Sequence, residues 1–241
     1  MPTFLSSPSI AASVKPEFLA TNFSRSSDGH LRTLSDHLRS LQRYSARLHF
    51  ARNEALFDEA SPADTVYKIV SGTVRICRHA PDGRRHISDF LLPGDLIGFL
   101  ECADQPATAE AVSAVTVIAY PRNRIDALAE TDPSIRTRIL CHLSSNLLEA
   151  QRQLFVLGCQ NAKERLASFL LRLADRLDVM QGDRLDLPMS RQDIADHLGL
   201  TIETVSRAMT ALKTHGYVAV PNSHQLILSN IPALRAIALE V

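Results

Sequence analysis

The chain has 241 residues, of which 45% are hydrophobic and 22% are charged, and its formal net charge is zero. A chain of this length can bury a substantial core and has room for two domains. The zero net charge excludes a uniformly basic coat, so any contact with nucleic acid must depend on a local patch. No apolar run approaches the roughly 18 residues that span a bilayer, which predicts a cytoplasmic protein without a membrane partner.

The first part of the chain changes from a loose segment to a β-rich one. Residues 1–35 are rich in serine, contain several prolines and lack a sustained period, so we expect an N-terminal extension. Residues 36–125 carry short β-type runs at 66–70, 73–80, 85–92 and 114–120. Turn signals such as Pro81-Asp82-Gly83 separate these runs. The spacing predicts a small antiparallel β-barrel or roll.

Residues 126–158 form a segment with a long helical pattern that starts near Pro133, a residue suited to a helix's first turn. Apolar residues repeat there at the two positions of a heptad seam: Leu140, Leu147 and Leu154 at one, Leu143, Ala150 and Leu157 at the other. A seam of about two to three heptads is typical of either a core-facing helix or a short coiled coil. The pattern alone leaves both interpretations open.

Residues 159–241 contain the most informative pattern, which is a helix, a tight turn and a second helix. Ser190 is a suitable N-cap with Asp193 three residues later, and Gly199 can take the left-handed conformation that a sharp corner needs. Thr201 is the predicted N-cap of the second helix. The apolar side of that helix carries Ile202, Val205, Met209 and Leu212. Residues 217–228 then alternate around turn residues, which predicts a wing hairpin.

The polar side of the second helix has the chemistry of a DNA-reading surface. Arg207 can fork onto a guanine, Glu203 can accept from a base amino group, and Ser206 can reach a base or a phosphate. We expect the DNA backbone to be held by Ser190, Arg191, Thr201, Thr204 and Lys213. An ordinary surface helix with scattered charges is the alternative, but the caps, the glycine corner and the reading triplet together favour DNA binding.

The stretch DIADHLGLTIETVSRAMTALKTHGYVAV, residues 193–220, resembles the DNA-binding end of the Crp/Fnr superfamily of transcription regulators. Glu203, Ser206 and Arg207, in the order E-x-x-S-R, resemble the Fnr and FixK branches, whose half-site is TTGAT. The resemblance implies an α+β fold with an N-terminal β-roll of the cyclic-nucleotide-binding, jelly-roll type, a long dimerisation helix and a C-terminal winged helix-turn-helix. It further implies a homodimer that binds a TTGAT-N4-ATCAA palindrome in double-stranded DNA and contacts RNA polymerase.

The β-rich segment departs from the pattern of a cyclic-nucleotide site. Residues 93–98 resemble the family's turn ahead of the nucleotide phosphate, after which a glutamate for the ribose and, about ten residues later, an arginine for the phosphate are expected. Phe99 follows Gly98 instead, Glu101 is displaced, and residues 104–109 contain no cation. The resemblance therefore does not extend to cyclic AMP binding.

The cysteines are too dispersed for an iron–sulfur cluster, which needs closely spaced thiolates. They are Cys77, Cys102, Cys141 and Cys159, and their default interpretation is small buried hydrophobic residues in a reducing compartment. The resemblance thus shifts to the FixK-like branch, without a cofactor or metal, whose targets include low-oxygen, nitrogen-fixation or denitrification genes.

Two other hypotheses stay open at this point. One is an effector-sensing regulator that uses cysteine redox chemistry, or haem held by one of His30, His37, His49, His79, His86 and His142. The other is a small-ligand binding module whose C-terminal helices serve a protein partner. An enzyme is not expected, because the sequence contains no Gly-rich phosphate loop, H-E-x-x-H or G-x-S-x-G motif.

Overall fold

The computed structural model describes residues 38–99 and 103–239. The predicted N-terminal extension lies outside these residues, as do His30, His37, Glu101 and Cys102.

The N-terminal part is a β-roll of two antiparallel four-stranded sheets, preceded by a 3₁₀ helix (Leu38–Tyr44). Its strands are β1 (Ala46–Phe50), β2 (Ala55–Phe57), β3 (Thr65–Ser71), β4 (Val74–His79), β5 (Arg85–Leu91), β6 (Leu96–Ile97), β7 (Thr108–Ala111) and β8 (Val115–Pro121). One sheet has the order β1-β8-β3-β6 and the other β2-β7-β4-β5. Buried side chains from both sheets, among them Ile69 of β3 and Val74 of β4, form one apolar core.

The four β-type runs seen in the sequence correspond to β3, β4, β5 and β8, which confirms the β-roll. The shorter strands β2, β6 and β7 complete the sheets without an alternating pattern long enough to predict them. Their place depends on pairing with the longer strands. For example, β7 pairs with both β2 and β4.

The rest of the described chain is helical, with a small sheet. The helices are α1 (Arg122–Thr131), α2 (Pro133–Cys159), α3 (Ala162–Arg176), α4 (Arg191–Leu198), α5 (Ile202–Thr214) and α6 (Ile231–Leu239). Strands β10 (Val218–Asn222) and β11 (Gln225–Leu228) form the predicted hairpin, and β9 (Arg184–Asp186) extends it to the order β10-β11-β9. In the part of the chain that the structure describes, no helix combines the length and apolarity needed to cross a bilayer.

The segment predicted as the dimerisation helix, 126–158, is divided at Asp132, whose backbone is extended, and its long helix begins at Pro133 as the sequence predicted. The Asp132 carboxylate accepts a hydrogen bond from the Ser134 N–H at 2.9 Å and thereby caps α2, while Pro133 occupies its first turn. Residues 126–131 consequently belong to the shorter helix α1. The long helix α2 then runs from Pro133 to Cys159 and leads into the C-terminal domain.

The β-roll packs directly against the C-terminal domain, and His197 of α4 lies in this contact. Its side chain is buried, Nδ1 donates to the Ile87 carbonyl at 2.9 Å, and the ring packs between Phe90 and Phe169. Burial lowers the pKa of His197 from 6.5 to about 4, against the opposing effects of the Ile87 carbonyl and Asp89. The imidazole is therefore neutral at neutral pH.

The lowered pKa predicts a specific pH dependence of stability. Between pH 6.5 and about 4, the unfolded chain holds a proton on His197 that the folded chain does not. Above pH 6.5, His197 is neutral in both states and does not reduce the stability of the fold. As the pH falls from 6.5 to about 4, the proton held only by the unfolded chain lowers the free energy of unfolding by up to about 1.4 kcal/mol per pH unit. Urea unfolding of the wild type and of His197→Asn, followed from pH 7.5 to 4.5, measures the slope. His197→Asn should lose this part of the slope, and the exposed-site control His215→Asn should keep it. Equal slopes for His197→Asn and the wild type would contradict the assignment.

Candidate nucleic-acid interface

The corner between α4 and α5 is built by local hydrogen bonds that the sequence predicts. The Ser190 hydroxyl accepts from the Asp193 N–H at 3.1 Å and the Asp193 carboxylate accepts from the Ser190 N–H at 3.0 Å, which completes a capping box. Gly199 ends α4 in the left-handed conformation, with φ 62° and ψ 39°. The Thr201 hydroxyl then accepts from the Thr204 N–H at 3.2 Å and caps α5.

The two helices share an apolar core with α3 and leave one side of α5 in solvent. The buried apolar residues of this pair are Ile194, Ala195, Leu198, Val205, Ala208, Met209 and Leu212. Leu200 is half-buried against the same core, as expected for a residue between the two helices. Ile202 was predicted to pack there, but it is 37% exposed because it is the first residue of α5, at the corner of the motif.

Glu203 lies on the exposed side of α5, in its first turn. Hydrogen bonding to its own backbone N–H and to the Thr201 side chain lowers the pKa of Glu203, and Arg207 adds to this effect. The carboxylate is therefore ionised at neutral pH and acts only as an acceptor. This state suits an amino group on the edge of a cytosine or adenine.

Ser206 and Arg207 are exposed beside Glu203, one helical turn further along. The Ser206 hydroxyl donates to the Ile202 carbonyl at 2.8 Å, which leaves its oxygen lone pairs to face solvent. Arg207 Nη2 donates to the Thr204 hydroxyl at 3.2 Å. This contact is exposed and 3.2 Å long, so the guanidinium can exchange it for a guanine at little cost.

The candidates for backbone contact differ in how free their side chains are. Lys213 is exposed in the last turn of α5. The Ser190 hydroxyl is held by Asp193 at 2.8 Å, and the hydroxyls of Thr201 and Thr204 are 3.0 Å apart. These three side chains shape the helix ends, and any phosphate contact they make must use their remaining donors or the backbone.

Arg191, in the first turn of α4, is half-buried, and its Nη1 has no hydrogen-bond partner. Burial lowers the pKa of Arg191, although a guanidinium stays protonated at neutral pH. A buried donor without a partner is costly in free energy. Because this nitrogen is closed to solvent, the phosphate contact expected of Arg191 stays a prediction.

Helix α2 exposes a line of large apolar side chains, which we call the apolar stripe. It consists of Leu140, Leu147, Leu148, Leu154 and Phe155, with exposed fractions of 58%, 60%, 40%, 69% and 51%. Burying such an area in a partner is strongly favourable, whereas an isolated chain leaves it in water.

The apolar stripe differs in part from the heptad seam predicted from the sequence. Leu140, Leu147 and Leu154 belong to both, and Ala150 is also exposed. Leu143 and Leu157 are instead half-buried by their own chain: Leu143 packs on the roll core, and Leu157 lies beside the Gly199 corner. The reason is that the side of α2 opposite the apolar stripe covers the roll. Leu143 lies on that side and is therefore not available to a partner chain.

The turn that resembles a nucleotide-phosphate site has a structural role of its own. Gly98 has φ +105°, and a Cβ there would lie 2.5 Å from the carbonyl oxygen of Thr65. Glycine is therefore required by the close approach of β3. Phe99, which takes the place of the ribose-binding glutamate, is buried with its ring edge-on to His142 of α2, 5.5 Å between centroids. Burial lowers the pKa of His142, so this contact is between uncharged rings.

The described cysteines differ in accessibility. Burial raises the pKa of the Cys77 thiol to about 11, so it is protonated and unreactive at neutral pH. Cys141 is half-buried, but Cys159, the last residue of α2, is exposed, contrary to the expectation of buried cysteines. Within the described ranges, no group of three or more His, Cys, Asp or Glu side chains is placed to hold a metal ion.

Both halves of the chain match known protein families. Residues 47–132 match the cyclic nucleotide-binding domain, and residues 164–237 match the Crp-like helix-turn-helix domain. The nitrogen fixation regulation protein FixK of Azorhizobium caulinodans is 42% identical over 189 residues, which cover 77% of this chain and 76% of that protein. FixK of Bradyrhizobium diazoefficiens is 39% identical over 185 residues, covering 76% of this chain and 78% of that protein. The chain belongs to the Crp/Fnr family of transcription regulators.

The fold of this Crp/Fnr regulator agrees with a solved structure of the same family. FixK2 from Bradyrhizobium japonicum superposes with a TM-score of 0.78 at 34% identity, covering 82% of this chain and 98% of that one. The chain is thus a FixK-like, DNA-binding regulator and not an enzyme. The matches to the cyclic nucleotide-binding and helix-turn-helix domains confirm the predicted α+β architecture.

In this Crp/Fnr regulator a single arginine joins the end of α2 to the corner of the helix-turn-helix. Arg165 of α3 donates to the carbonyls of Leu157, Gln160 and Leu198 at 2.8, 2.8 and 2.9 Å. Sequence reasoning missed this residue, because its three acceptors are backbone atoms that leave no sequence signal. The Arg165 guanidinium satisfies carbonyls at the ends of α2 and α4 at once.

We expect Arg165→Gln to destabilise the protein by roughly 2 kcal/mol, because at least two charge-assisted hydrogen bonds to partly buried carbonyls are lost. Arg165→Lys should recover only part of this loss, since an ammonium lacks the planar fork. Urea unfolding measures both variants. The control Arg235→Gln removes an exposed ion pair with Asp175 and should change stability by less than about 0.5 kcal/mol. Equal effects of Arg165→Gln and the control would contradict this role.

Proposed function

We propose that two copies of this chain bind a palindrome of the TTGAT-N4-ATCAA type and activate transcription from nearby promoters by contacting RNA polymerase. The observation that carries the proposal is the side of α5 that holds Glu203, Ser206 and Arg207 in solvent while the other side is buried. A helix anchored in this way can enter the major groove with its polar side chains facing the bases.

The chemistry of the three side chains fits the half-site. Arg207 can donate two hydrogen bonds to the acceptor edge of the guanine in TTGAT, and the ionised Glu203 can accept from the amino group of a cytosine or adenine. The phosphate contacts that set the register would come from Lys213, Arg191, Thr204 and the N-cap residues Ser190 and Thr201.

The apolar stripe supports a homodimer through α2. A two-fold axis along this helix pairs the stripe of one copy with the same stripe of the other. Two reading helices related by that axis face half-sites about one DNA turn apart, which matches a palindrome with a short centre.

We further propose that DNA binding requires no bound cofactor. Phe99 stands where the family pattern has an acidic ribose ligand, and it packs on His142 between the roll and α2. By its similarity to the FixK relatives, the protein would act in the cytoplasm on low-oxygen, nitrogen-fixation or denitrification genes.

A titration of the full-length protein on labelled duplexes tests the reading triplet. Wild type should bind TTGAT-N4-ATCAA more tightly than a duplex in which the guanine and cytosine of the half-sites are exchanged. Arg207→Ala should lose about 1–3 kcal/mol of this discrimination in each half-site, because it removes the bidentate guanine contact. Fluorescence anisotropy at fixed salt, without added ligand, gives both affinities.

Lys213→Ala is the matched control, since the loss of a phosphate contact should weaken binding to both duplexes alike and reduce its salt dependence. An unchanged preference for TTGAT in a folded Arg207→Ala dimer would show that the base-reading assignment is wrong. Binding by the wild type only after haem, a reductant or a nucleotide is added would instead favour an effector-sensing β-roll.

The dimer has its own test. Leu147→Glu places a charge in the centre of the apolar stripe, where a partner chain would have to bury it, so we expect a monomer. The fold should persist because Leu147 is 60% exposed in one chain. Sedimentation velocity gives the oligomeric state, and affinity for the palindrome should fall by at least about 100-fold as half the contacts are lost. Arg152→Glu, which lies outside the stripe, should remain dimeric. A dimeric Leu147→Glu protein would contradict the assignment.

A further inference from the structure

The β-roll and the C-terminal domain share one continuous apolar core. Cys77, Ile87 and Phe90 from β4 and β5 belong to the same buried cluster as Ile194 and Leu198 of α4. The contact is therefore packed like a domain interior, and the C-terminal domain has a preferred seat on the roll. We call this contact the roll–head interface, where the head is the domain that contains α3 to α6.

Two arginines of the roll reach across this interface to two aspartates of α4. Arg85 lies 2.6 Å from Asp193 and 2.8 Å from Asp196, and Arg75 lies 3.2 Å from Asp193. All four side chains are at most 20% exposed. Glu110, 2.6 Å from Arg75, belongs to the same cluster.

Asp193 connects this cluster to the local structure of the helix-turn-helix. Its carboxylate caps α4 through Ser190 and also accepts from Arg75 and Arg85. Burial alone would raise the pKa of Asp193, but the hydrogen bonds from Ser190 and the two guanidinium groups outweigh it and hold the pKa below the usual range. The start of α4 is consequently fixed to the roll by a charged, hydrogen-bonded group.

The head also donates arginines to the roll, from α3. Arg172 binds Asp89, and Arg176 binds Asp95 and donates to the Phe90 carbonyl at 2.8 Å. Each domain thus supplies two arginines to the other. The ion pairs of α3 and those of α4 together resist rotation of the head as well as its separation from the roll, because they hold it at two different helices.

We propose that Arg75 and Arg85 are positioning residues for DNA binding, which hold the head in one orientation on the roll and so fix the spacing of the two reading helices. The inference rests on the proposed dimer and palindrome. In the seated arrangement Glu203, Ser206 and Arg207 remain exposed, so the interface does not block the groove-reading side. The head is fixed relative to α2, because α1 and α2 pack on the same roll.

The spacing of the half-sites is the readout that separates positioning from mere stability. Each base pair inserted in the centre rotates one half-site against the other by about 35°. A dimer with seated heads should strongly prefer N4 to N5. Arg85→Gln should weaken binding to the N4 palindrome about tenfold and reduce the N4-to-N5 preference about fivefold, because freed heads adapt to either spacing.

The neighbouring residue supplies a matched control. Arg84 is 84% exposed and pairs with Asp82 of the same turn, on the side away from α4, so Arg84→Gln should change neither the affinity nor the spacing preference. Asp196→Asn replaces one of the two carboxylates that pair with Arg85 by an isosteric neutral group. Asp196→Asn should show part of the Arg85→Gln effect, because the pair of Arg85 with Asp193 remains, and the double variant Arg85→Gln/Asp196→Asn should resemble Arg85→Gln.

Hydrogen exchange measures the seating without DNA, and therefore independently of the proposed function. In free full-length Arg85→Gln, amide exchange in residues 86–91 and 191–198 should rise, while exchange in the other strands of the roll stays as in the wild type. In Arg84→Gln, exchange should stay as in the wild type throughout. If the wild type shows no preference for the palindrome but exchange responds as expected, the proposed function fails and the seating stands. Unchanged exchange together with an unchanged spacing preference in Arg85→Gln would overturn the proposal. Tighter DNA binding by Arg85→Gln would also overturn it, because the interface would then hold the head in an inhibited state.

Discussion

The arrangement of this protein depends on one buried carboxylate, that of Asp193. A carboxylate out of water must keep its charge paired and its oxygens hydrogen-bonded, or it becomes strongly destabilising. Asp193 meets this condition with hydrogen-bond donors from two parts of the chain, the N-cap residue Ser190 and the roll residues Arg75 and Arg85. The start of α4 and the seat of the head are consequently coupled, since neither can move without leaving the same charge unpaired. A reading helix that follows α4 after a tight corner inherits this constraint.

The interface also separates charged from uncharged groups. Where guanidinium groups are available, the acids of the interface are paired with them, and the pKa of Asp193 is held below its usual range. One turn further along α4, His197 lies between aromatic rings and is kept neutral, with a lone backbone carbonyl as its acceptor. The ion pairs and the aromatic contact contribute differently to the roll–head interface. The ion pairs require one geometry, whereas the aromatic contact buries apolar area and depends little on direction. Together they explain how a charge-rich surface and an apolar core exist in one contact.

Features that depend on residues close in sequence were predictable. Ser190, Gly199 and Thr201 act within a few residues of themselves, so their roles can be recognised without the fold. Features that depend on distant residues were not. Arg75 meets Asp193 across 118 positions, and neither residue has a neighbour that indicates the other. The same limit applies to the seam of α2, because only the fold shows that the roll takes Leu143 and that Ile202 stays at an exposed corner. The pattern of Glu203, Ser206 and Arg207 was enough to predict a base-reading role for them, whereas Arg165 donates to backbone carbonyls and has no pattern.

The exposed leucines of α2 have a consequence for how the amount of protein translates into promoter occupancy. If operator binding requires two chains, then at concentrations below the dimer dissociation constant the number of dimers grows with the square of the number of chains. A threefold rise in synthesis then yields about nine times as many dimers, by the same mass action. A regulator that binds in this way converts a moderate change in its own expression into a larger change in promoter occupancy.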